Sequence, residues 1–477
     1  MVRRRPTRAG SPDPRMTDAV PTTATPKRSN WILAAFAGPS LPFAALGLPL
    51  IVHLPTFFAR SLELPLASIT AIFFFARILD IGADPFIGMW IDKTRTRIGR
   101  FKPWIMAGGL MLMVTTWLCF MPPPGASLPL LAICLVGIYV AFSVVVLAQT
   151  SWAAVLSTNY NERSRVYGWW QFGNVVGILL VLLLPVIVAA RGGTEAQGVA
   201  AMGMFIVVLL PITIAVAVKY VPEPRVVGEC HATIRDYFAF FKLASIRRLM
   251  MTDLLYGLAP GITGALALFY FTSVKGMDGG QANILIFAYF AAGLIGSPLW
   301  SWAALRLGKH RALAVAGLVY AAAYVGVWAA PAGNFPMAIA SMLLVGLPFP
   351  AGQILIRAMM ADIGDEERLE SGEDRSAMLF ALMTLTNKLG TALSTVVLLP
   401  LTWVGFQQAT GATNTPLALN TLSGLFVILP ILMLVASSLI IRRFPIDQVR
   451  QQEVRAALEA RDAETAAAAA AIAPEPA

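Results

Sequence analysis

Residues 66–104 read LASITAIFFFARILDIGADPFIGMWIDKTRTRIGRFKPW. The first part is apolar enough for a membrane-spanning helix, yet it contains Arg77, Asp80 and Asp84. A helix needs about 20 apolar residues to cross roughly 30 Å of hydrocarbon, and this run is long enough. We therefore predict a transmembrane helix that carries three charges at bilayer depth and ends in a basic loop.

The composition of the whole chain agrees with a protein embedded in a membrane. Of its 477 residues, 57% are hydrophobic and 13% are charged, and the mean hydropathy is +0.70. Soluble domains carry about 25% charged residues. The formal net charge of +10 is explained by basic cytoplasmic loops, so the lipid bilayer is an expected partner and nucleic acid is not.

Twelve apolar spans are predicted, and each should be a helix because lipid offers no partner to a bare backbone. They cover roughly residues 31–58, 66–91, 103–121, 128–151, 166–190, 197–219, 250–274, 282–304, 312–330, 336–360, 376–404 and 417–441. Loops rich in Lys and Arg alternate with loops that have none, such as 121–127 and 405–416. Because cytoplasmic loops hold the excess of Lys and Arg, we place both termini in the cytoplasm of a multi-pass protein of the inner (plasma) membrane.

The long connection between the sixth and seventh spans divides the chain into two halves. The predicted parts are a disordered basic tail 1–30, a six-helix half 31–219, a cytoplasmic linker 220–249 with an amphipathic helix, a six-helix half 250–441 and a cytoplasmic tail 442–477 that frays into disorder. Two six-helix halves predict an all-α integral membrane protein of twelve transmembrane helices with the major facilitator superfamily fold. We expect it to work as a monomer.

The three charges of the second span lie on one face of the predicted helix. At about 100° per residue, Arg77 and Asp84 almost superpose and Asp80 lies about 60° away. A charge at bilayer depth costs at least about 2.5 kcal/mol, so such groups normally face a cavity and are paired. Asp80 and Asp84 can hold Na+, which needs several oxygens, or a proton, which needs one carboxylate. The alternative is a structural ion pair of Arg77 and Asp80.

Other residues of this span would supply a further ligand and allow a neighbouring helix to pack closely. Pro85 has no N–H, so the carbonyl of Ile81 is free to act as a ligand. Gly82 and Gly88 would admit another helix at close range. These features predict a cation site in a polar seam between helices.

Lys388 lies deep in the eleventh span, too far from either surface to reach water comfortably. Its natural partner is a carboxylate, and Asp80 and Asp84 are the deep acids in prospect. A lysine that either pairs with these acids or releases them to a cation would be a coupling element. The alternative is a lysine in a polar seam with no part in coupling.

A further set of residues is predicted to bind a small-molecule solute, because amides and aromatic faces suit polyhydroxylated or partly apolar compounds. These residues are Gln149, Trp152, Trp170, Gln171, Asn387 and Thr391. Tryptophan also collects at membrane interfaces, which is the alternative for each Trp. Asp253 and Tyr256, near the start of the seventh span, are expected at the cytoplasmic mouth.

The sequence carries no sign of an enzyme. It has three histidines and no Ser/His/Asp set, metal-ligand cluster or phosphate-binding loop. Cys230 and His231 are adjacent but too few for a metal site. We therefore expect no cofactor and no metal beyond Na+ at Asp80 and Asp84, with a monovalent cation, H+ or Na+, as the coupling ion.

Two segments resemble one family of transporters. RILDIGADPFIGMWIDKTRTRIGRFKPW (77–104) and MMADIGDEERLESGEDRSAMLFALMTLTNKLG (359–390) are similar to segments of the glycoside–pentoside–hexuronide:cation symporters, the melibiose permease family. The resemblance implies cation-coupled symport by alternating access, with the two acids of the first segment as the cation site and the lysine of the second nearby. It also implies that Asp92, Arg97 and Arg100 help to gate the cytoplasmic side.

The chain departs from that family at the solute end. Melibiose permeases hold sugar hydroxyls with aspartates in the first and fourth helices, whereas 37–49 and 144–155 contain no acid here. A sugar or glycoside is therefore the default solute, and an α-galactoside is not implied. The fourth-helix hydroxyl that would ligate sodium is expected to be replaced by Val144 or Val145, which favours a proton over Na+.

Two other functions stay open on the sequence. The many Trp, Phe and Met residues would also suit an exporter or facilitator of an amphipathic solute, lysolipid-like or peptide-like. The second is a non-transporting membrane sensor or scaffold built on a transporter fold. The buried charges argue against a scaffold, which has no reason to keep them.

Overall fold

A computed structural model describes most of the chain. The described residues are 29–50, 54, 57–58, 66–123, 125, 127–157, 160–223, 234–397, 399–407 and 414–472. Within these ranges all regular structure is helical. Almost all of the predicted N-terminal tail and the Cys230–His231 pair lie outside them.

The helices divide into two groups on either side of the linker. The first group is α1 Asn30–Ala37, α2 Ser40–Leu48, α3 Leu66–Lys93, α4 Lys102–Phe120, α5 Leu128–Leu156, α6 Tyr160–Ala190 and α7 Glu195–Tyr220. The linker holds α8 Ile234–Ala239. The second group is α9 Ala244–Phe269, α10 Gly279–Leu307, α11 Lys309–Ala329, α12 Phe335–Gly346, α13 Phe349–Ser371, α14 Ser376–Val396, α15 Leu399–Trp403, α16 Pro416–Ser423 and α17 Leu429–Ile441, followed by a tail helix α18 Gln448–Ile472.

Nine segments of the described chain are long and apolar enough to cross a membrane by length and composition. The α1–α2 pair, α3 and α14 complete the predicted set of twelve. Helices α3 and α14 are less apolar because they carry the charged and polar residues of the candidate site. The sequence pattern therefore predicted the helix order correctly, although α9 begins at Ala244, six residues before the predicted start of the seventh span.

The two six-helix halves meet along two seams. In one seam α3 packs against α14, and in the other α6 packs against α10. Gly88 lies in the first seam, where an added Cβ would come within 3.0 Å of the Ala377 carbonyl oxygen. This confirms the close approach predicted for Gly88. The same prediction is wrong for Gly82, because no atom lies within 4 Å of the position of its Cβ.

Prolines interrupt one helix of each half beside the space between the halves. Pro39 separates α1 from α2, and Pro348 separates α12 from α13. Tyr256 is buried and donates a hydrogen bond from its hydroxyl to the Pro348 carbonyl at 2.7 Å. Tyr256 therefore supports the break between α12 and α13, and its place at the cytoplasmic mouth stays a prediction.

The linker and the tail both pack against the bundle. The helical part of the linker is short, and Tyr237 of α8 is buried where α8 meets α3 and α14. The tail was expected to fray, but α18 packs along α13 with Val454 and Leu458 buried. An ion pair of 3.2 Å joins Arg455 Nη1 to Asp365 Oδ1. We call this end of the bundle, where loop 372–375 also lies, the charged end.

Candidate ion and solute site

A buried cluster of two acids and one lysine lies in the seam between α3 and α14. The Nζ atom of Lys388 is 2.7 Å from Asp80 Oδ1 and 2.7 Å from Asp84 Oδ2. All three side chains are buried. A lysine from one half thus bridges two carboxylates of the other, which is the pairing that the depth of Lys388 in its span predicted.

A serine of α5 completes this cluster. Ser143 Oγ donates to Asp80 Oδ1 at 2.7 Å, and Lys388 Nζ donates to Ser143 Oγ at 3.0 Å. Val144 and Val145 were expected to stand in place of a hydroxyl at this site, but the preceding residue, Ser143, brings one into the cluster. The lack of a hydroxyl therefore no longer favours a proton over Na+.

Asp84 is paired with Lys388 by charge. Neither of its buried side-chain oxygens has a hydrogen-bond partner among the described residues, although Lys388 Nζ lies 2.7 Å from Oδ2. Buried polar atoms normally have partners, so an exception needs an explanation. The Lys388 ammonium thus lies between the two carboxylates and is the cation that offsets their charge.

Arg77 stands at the edge of this cluster. Its Nη1 atom is 4.0 Å from Asp80 Oδ2, and 31% of its side chain is exposed. The guanidinium lies over the ring of Tyr139, 5.6 Å from the ring centre. Because Lys388 is much closer to Asp80, an Arg77–Asp80 pair alone does not account for the buried charges.

A cavity of about 330 Å³ lies between the two halves, next to the cluster. The predicted solute residues Gln149, Trp170, Gln171 and Asn387 all line it. Gln149 is held in place, since its Nε2 donates to the Phe36 carbonyl at 2.9 Å and Trp170 Nε1 donates to its Oε1 at 3.1 Å. Rigid amide and indole groups of this kind suit a hydroxylated solute.

Trp152 does not belong to this cavity. It is almost fully buried, its Nε1 donates to the Pro222 carbonyl at 3.3 Å, and its ring packs edge-on against Phe36. The prediction of Trp152 as a solute residue is wrong. Trp152 lies three residues after Gln149 on the same helix, and its side chain points towards the linker and not into the cavity. The side chain of Thr391 lies outside the described part of the chain.

Arg357 also lines the cavity and was not predicted from the sequence. The Arg357 guanidinium carbon lies 4.6 Å from the centre of the Trp170 ring, and Arg357 Nη1 donates to the Gln353 carbonyl at 3.1 Å. Arg357 stands in the apolar stretch QILIRAMM of the tenth span. The rule that singled out Arg77, a charge in an apolar run, would have found it.

The predicted gate residues join the two halves at the charged end. Asp92 accepts hydrogen bonds from the backbone N–H groups of Ala377 and Met378 at 3.0 and 2.9 Å. Arg100 is ion-paired with Asp92 and, at 3.1 Å, with Asp374. Burial raises the pKa of Asp374, but the Arg100 charge, the hydrogen bonds from Ser376 and the Arg368 charge together lower it further, so that the pKa is below its usual value. Arg97 is exposed and lies outside this cluster.

A second set of ion pairs at the same end was not predicted. Arg163 Nη1 contacts Asp362 Oδ1 at 2.8 Å and Asp365 Oδ2 at 2.7 Å, and Lys309 Nζ contacts Asp362 Oδ2 at 2.6 Å. Arg163 and Lys309 lie in the first turn of their helices, and Asp362 and Asp365 belong to the charged stretch DIGDEER of α13, so that none of them stands alone in an apolar run. Together the two sets of pairs hold the halves together at the charged end.

The linker packs against the two helices that carry the ion cluster. Tyr237 is buried where α8 meets α3 and α14, and its hydroxyl has no hydrogen-bond partner among the described residues. Burial, and then the charge of Asp84, raise the pKa of Tyr237.

Two six-helix halves around a central cavity, with a buried acid–lysine cluster where they meet, define a membrane transporter of the major facilitator class. Within that class, the chain belongs to the family described as MFS/sugar transport protein, which matches residues 35–448. This membership confirms the predicted fold and the family resemblance. It also agrees with the expectation that the chain is not an enzyme.

Individual relatives are distant in sequence. The chain is 24% identical over 404 residues to the lactose permease of Lactobacillus delbrueckii subsp. bulgaricus, covering 80% of this chain and 64% of that protein. It is 22% identical over 408 residues to an inner membrane symporter of Escherichia coli K12, covering 83% of this chain and 87% of the relative. The chain therefore spans less than two thirds of the length of the lactose permease.

Among solved structures, the E. coli fucose:proton symporter superposes with a TM-score of 0.63 at 14% sequence identity. The match covers 87% of this chain and 98% of that one. At this identity the likeness supports the fold alone.

Proposed function

We propose that this protein is a secondary active transporter that couples a monovalent cation to the uptake of a sugar or glycoside by alternating access. Both termini would lie in the cytoplasm of the inner membrane, so that the charged end faces the cytoplasm. The observation that carries the proposal is the position of Lys388 Nζ, 2.7 Å from a carboxylate oxygen of both Asp80 and Asp84. The symporter among the relatives supports it.

The coupling step is an exchange of Lys388 for the cation. Lys388 belongs to one half and the two acids to the other, so their ion pairs hold the α3–α14 seam closed. A cation that binds Asp80 and Asp84 replaces the positive charge of the lysine and releases this link between the halves. Binding energy at the ion site is thereby spent on the change of conformation.

The cation is Na+ or a proton, and the site has groups for both. Two carboxylates and the Ser143 hydroxyl supply oxygens of the kind that Na+ requires. A proton would bind to Asp84, whose oxygens lack hydrogen bonds among the described residues. The two ions differ in what Ser143 contributes, and this difference can be tested.

The solute end of the cavity favours a sugar that carries a negative charge. The acids that melibiose permeases use are absent, and Arg357 and Arg77 line the cavity instead. A guanidinium binds a carboxylate with two parallel hydrogen bonds, while Trp170 offers an aromatic face to a sugar ring. A uronic acid or its glycoside fits this arrangement better than a neutral α-galactoside does.

The ion pairs at the charged end would form the cytoplasmic gate. Asp92 and Arg100 join the halves across one seam, and Arg163 joins them across the other through Asp362. Opening of the cavity to the cytoplasm requires that these contacts separate. The described conformation is therefore assigned to the state closed on the cytoplasmic side.

The test is uptake into proteoliposomes driven by an imposed Na+ or proton gradient, with D-glucuronate and lactose as the labelled solutes. We expect Asp84→Asn to abolish uphill accumulation while counterflow exchange of the same solute persists. Glu459→Gln, an exposed acid of the tail helix, is the matched control and should accumulate solute normally. Uphill accumulation that survives Asp84→Asn would contradict the ion assignment, and an absence of accumulation under both gradients would contradict symport.

A further inference from the structure

The second half contains a buried acid that the mechanism above does not use. Asp253 of α9 is 8% exposed, and no lysine or arginine nitrogen of the described chain lies within 4.0 Å of its carboxylate. It lines a pocket of about 220 Å³ between α9, α13 and α14. An isolated buried carboxylate is costly unless it takes up a proton or a cation.

This pocket continues into the solute cavity. Gln353 and Asn387 line both spaces. Arg357 lies one helical turn beyond Gln353 and is stacked on Trp170 at the cavity wall. Asp253 and the arginine that we assign to the solute therefore stand on neighbouring helices and line adjoining spaces.

Arg357, on the neighbouring helix α13, is a half-buried cation with no ion-pair partner within 4.0 Å among the described residues. The other cations on α9 and on the elements packed against it are Lys242, Arg247, Arg248, Arg306, Arg368 and Lys388. The first four are exposed, Arg368 pairs with Asp462 of the tail, and Lys388 is held by Asp80 and Asp84.

The acids of α13 are engaged elsewhere or exposed. Asp362, Asp365 and Glu366 pair with Arg163, Lys309 and the tail, Glu367 pairs with Arg375, and Glu370 is exposed. Leu429–Ile441 of α17 contains no charged residue.

We propose that Asp253 is a second proton-binding site, which controls the charge that Arg357 presents to an anionic solute; this inference rests on the proposed function. When Asp253 is ionised, its charge offsets that of Arg357. When a proton from the water of the pocket binds to the carboxylate, Arg357 keeps an uncompensated charge beside Trp170. The proton and the anionic group of the solute then bind cooperatively, and each raises the affinity for the other by the same factor.

The first test needs no solute. Infrared difference spectra of the purified protein between alkaline and mildly acidic pH should contain a protonated-carboxyl band that Asp253→Asn removes and Asp84→Asn leaves in place. In Arg357→Gln the band should appear already at a higher pH, because the cation that favours the ionised acid is gone. Identical spectra for the wild type and Asp253→Asn would overturn the proton site.

The second test measures the coupling to the solute. In wild-type protein the affinity for D-glucuronate should fall at least about fivefold from mildly acidic to alkaline pH, the lower limit of common coupling energies. Asp253→Asn should hold the acid-like affinity at both pH values, whereas the control Glu459→Gln, an exposed acid of the tail helix, should keep the pH dependence. A pH dependence that survives in Asp253→Asn, or a failure of D-glucuronate to bind at either pH, would overturn the coupling. The proposed function fails separately, in the gradient-driven uptake assay.

Discussion

The two halves of the molecule treat their buried charges in opposite ways. In the first half, two acids receive a lysine that belongs to the second half, so the ion pairs cross the seam. In the second half, Asp253 and Arg357 stand on neighbouring helices of the same half. A pair that crosses the seam must change when the halves rock, whereas a pair within one half moves as a unit.

In the proposed mechanism this difference separates two tasks. The pairs across the seam would tie occupancy by a cation to conformation, and the acid and the arginine within one half would alter the charge of the solute cavity without any movement of the halves. Substitutions that weaken contacts across the seam should therefore affect coupling more than substitutions of contacts inside one half.

The largest effect is expected for Lys388→Ala. It leaves two buried carboxylates without their cation, which should lower the free energy of unfolding by about 3–5 kcal/mol and reduce uphill uptake to background. Adding Asp84→Asn should recover most of the thermal stability but none of the coupling. Thermal unfolding in detergent and gradient-driven uptake measure the two outcomes, and a stable, fully coupled Lys388→Ala protein would contradict the role of the lysine.

Arg163→Gln should have the next largest effect, because it breaks a buried contact with two acids across the α6–α13 boundary. We expect a loss of about 3 kcal/mol of stability and increased chemical labelling of residues inside the cavity from the cytoplasmic side. Arg165→Gln is the control, since Arg165 pairs with Glu162 on its own helix and should change neither quantity. Equal labelling of the two variants would show that Arg163 is not part of the gate.

Ser143→Ala distinguishes the two candidate ions. If Na+ is the ion, loss of one oxygen should weaken its apparent affinity about tenfold, or about 1.4 kcal/mol. If the ion is a proton, Na+ should have no effect on uptake in either protein. Thr150→Val on the same helix is the control, because the Thr150 hydroxyl bonds only to carbonyls of α5. A Na+-dependent protein whose Na+ affinity is unchanged in Ser143→Ala would exclude this hydroxyl from the ion site.

The smallest effect is expected for the tail. Asp462→Asn removes an ion pair with Arg368 in which the aspartate side chain is 49% exposed. Exposed pairs contribute less than about 1 kcal/mol, so stability should fall by no more than that and uptake should not change. A large loss of uptake would mean that the tail helix takes part in the gate.

The ion cluster could be predicted from the sequence because a charged side chain at bilayer depth has to be paired. Asp80, Asp84 and Lys388 each interrupt an apolar run, and groups at that depth have to find one another. Ser143 could not be found in this way, since a serine in an apolar helix is compatible with a bond to its own backbone. Which residue of α5 faces α3 depends on how the two helices are rotated, and that requires the packed structure.

The ion pairs of the proposed gate also could not be predicted from the sequence, because they depend on how the helices pack. Arg163 and Asp362 lie far apart in the sequence, the first at the start of α6 and the second in a charged stretch of α13, and charges in such places are usually solvated. Only the approach of α6 to α13 turns them into a buried pair. The prediction that Trp152 binds the solute was wrong for a related reason. An indole suits a sugar, but the position of Trp152 on α5 directs its side chain towards the linker.

The contact between Asp92 and α14 has one further consequence. The acceptor is a side chain of the first half, but the donors are the main-chain N–H groups of residues 377 and 378 in the second. Side-chain substitutions at those two positions leave the donors in place, and proline is the exception because it has no N–H. Half of this contact is therefore made by the backbone, and burial of Ala377 and Met378 restricts their side chains for packing, independently of this contact.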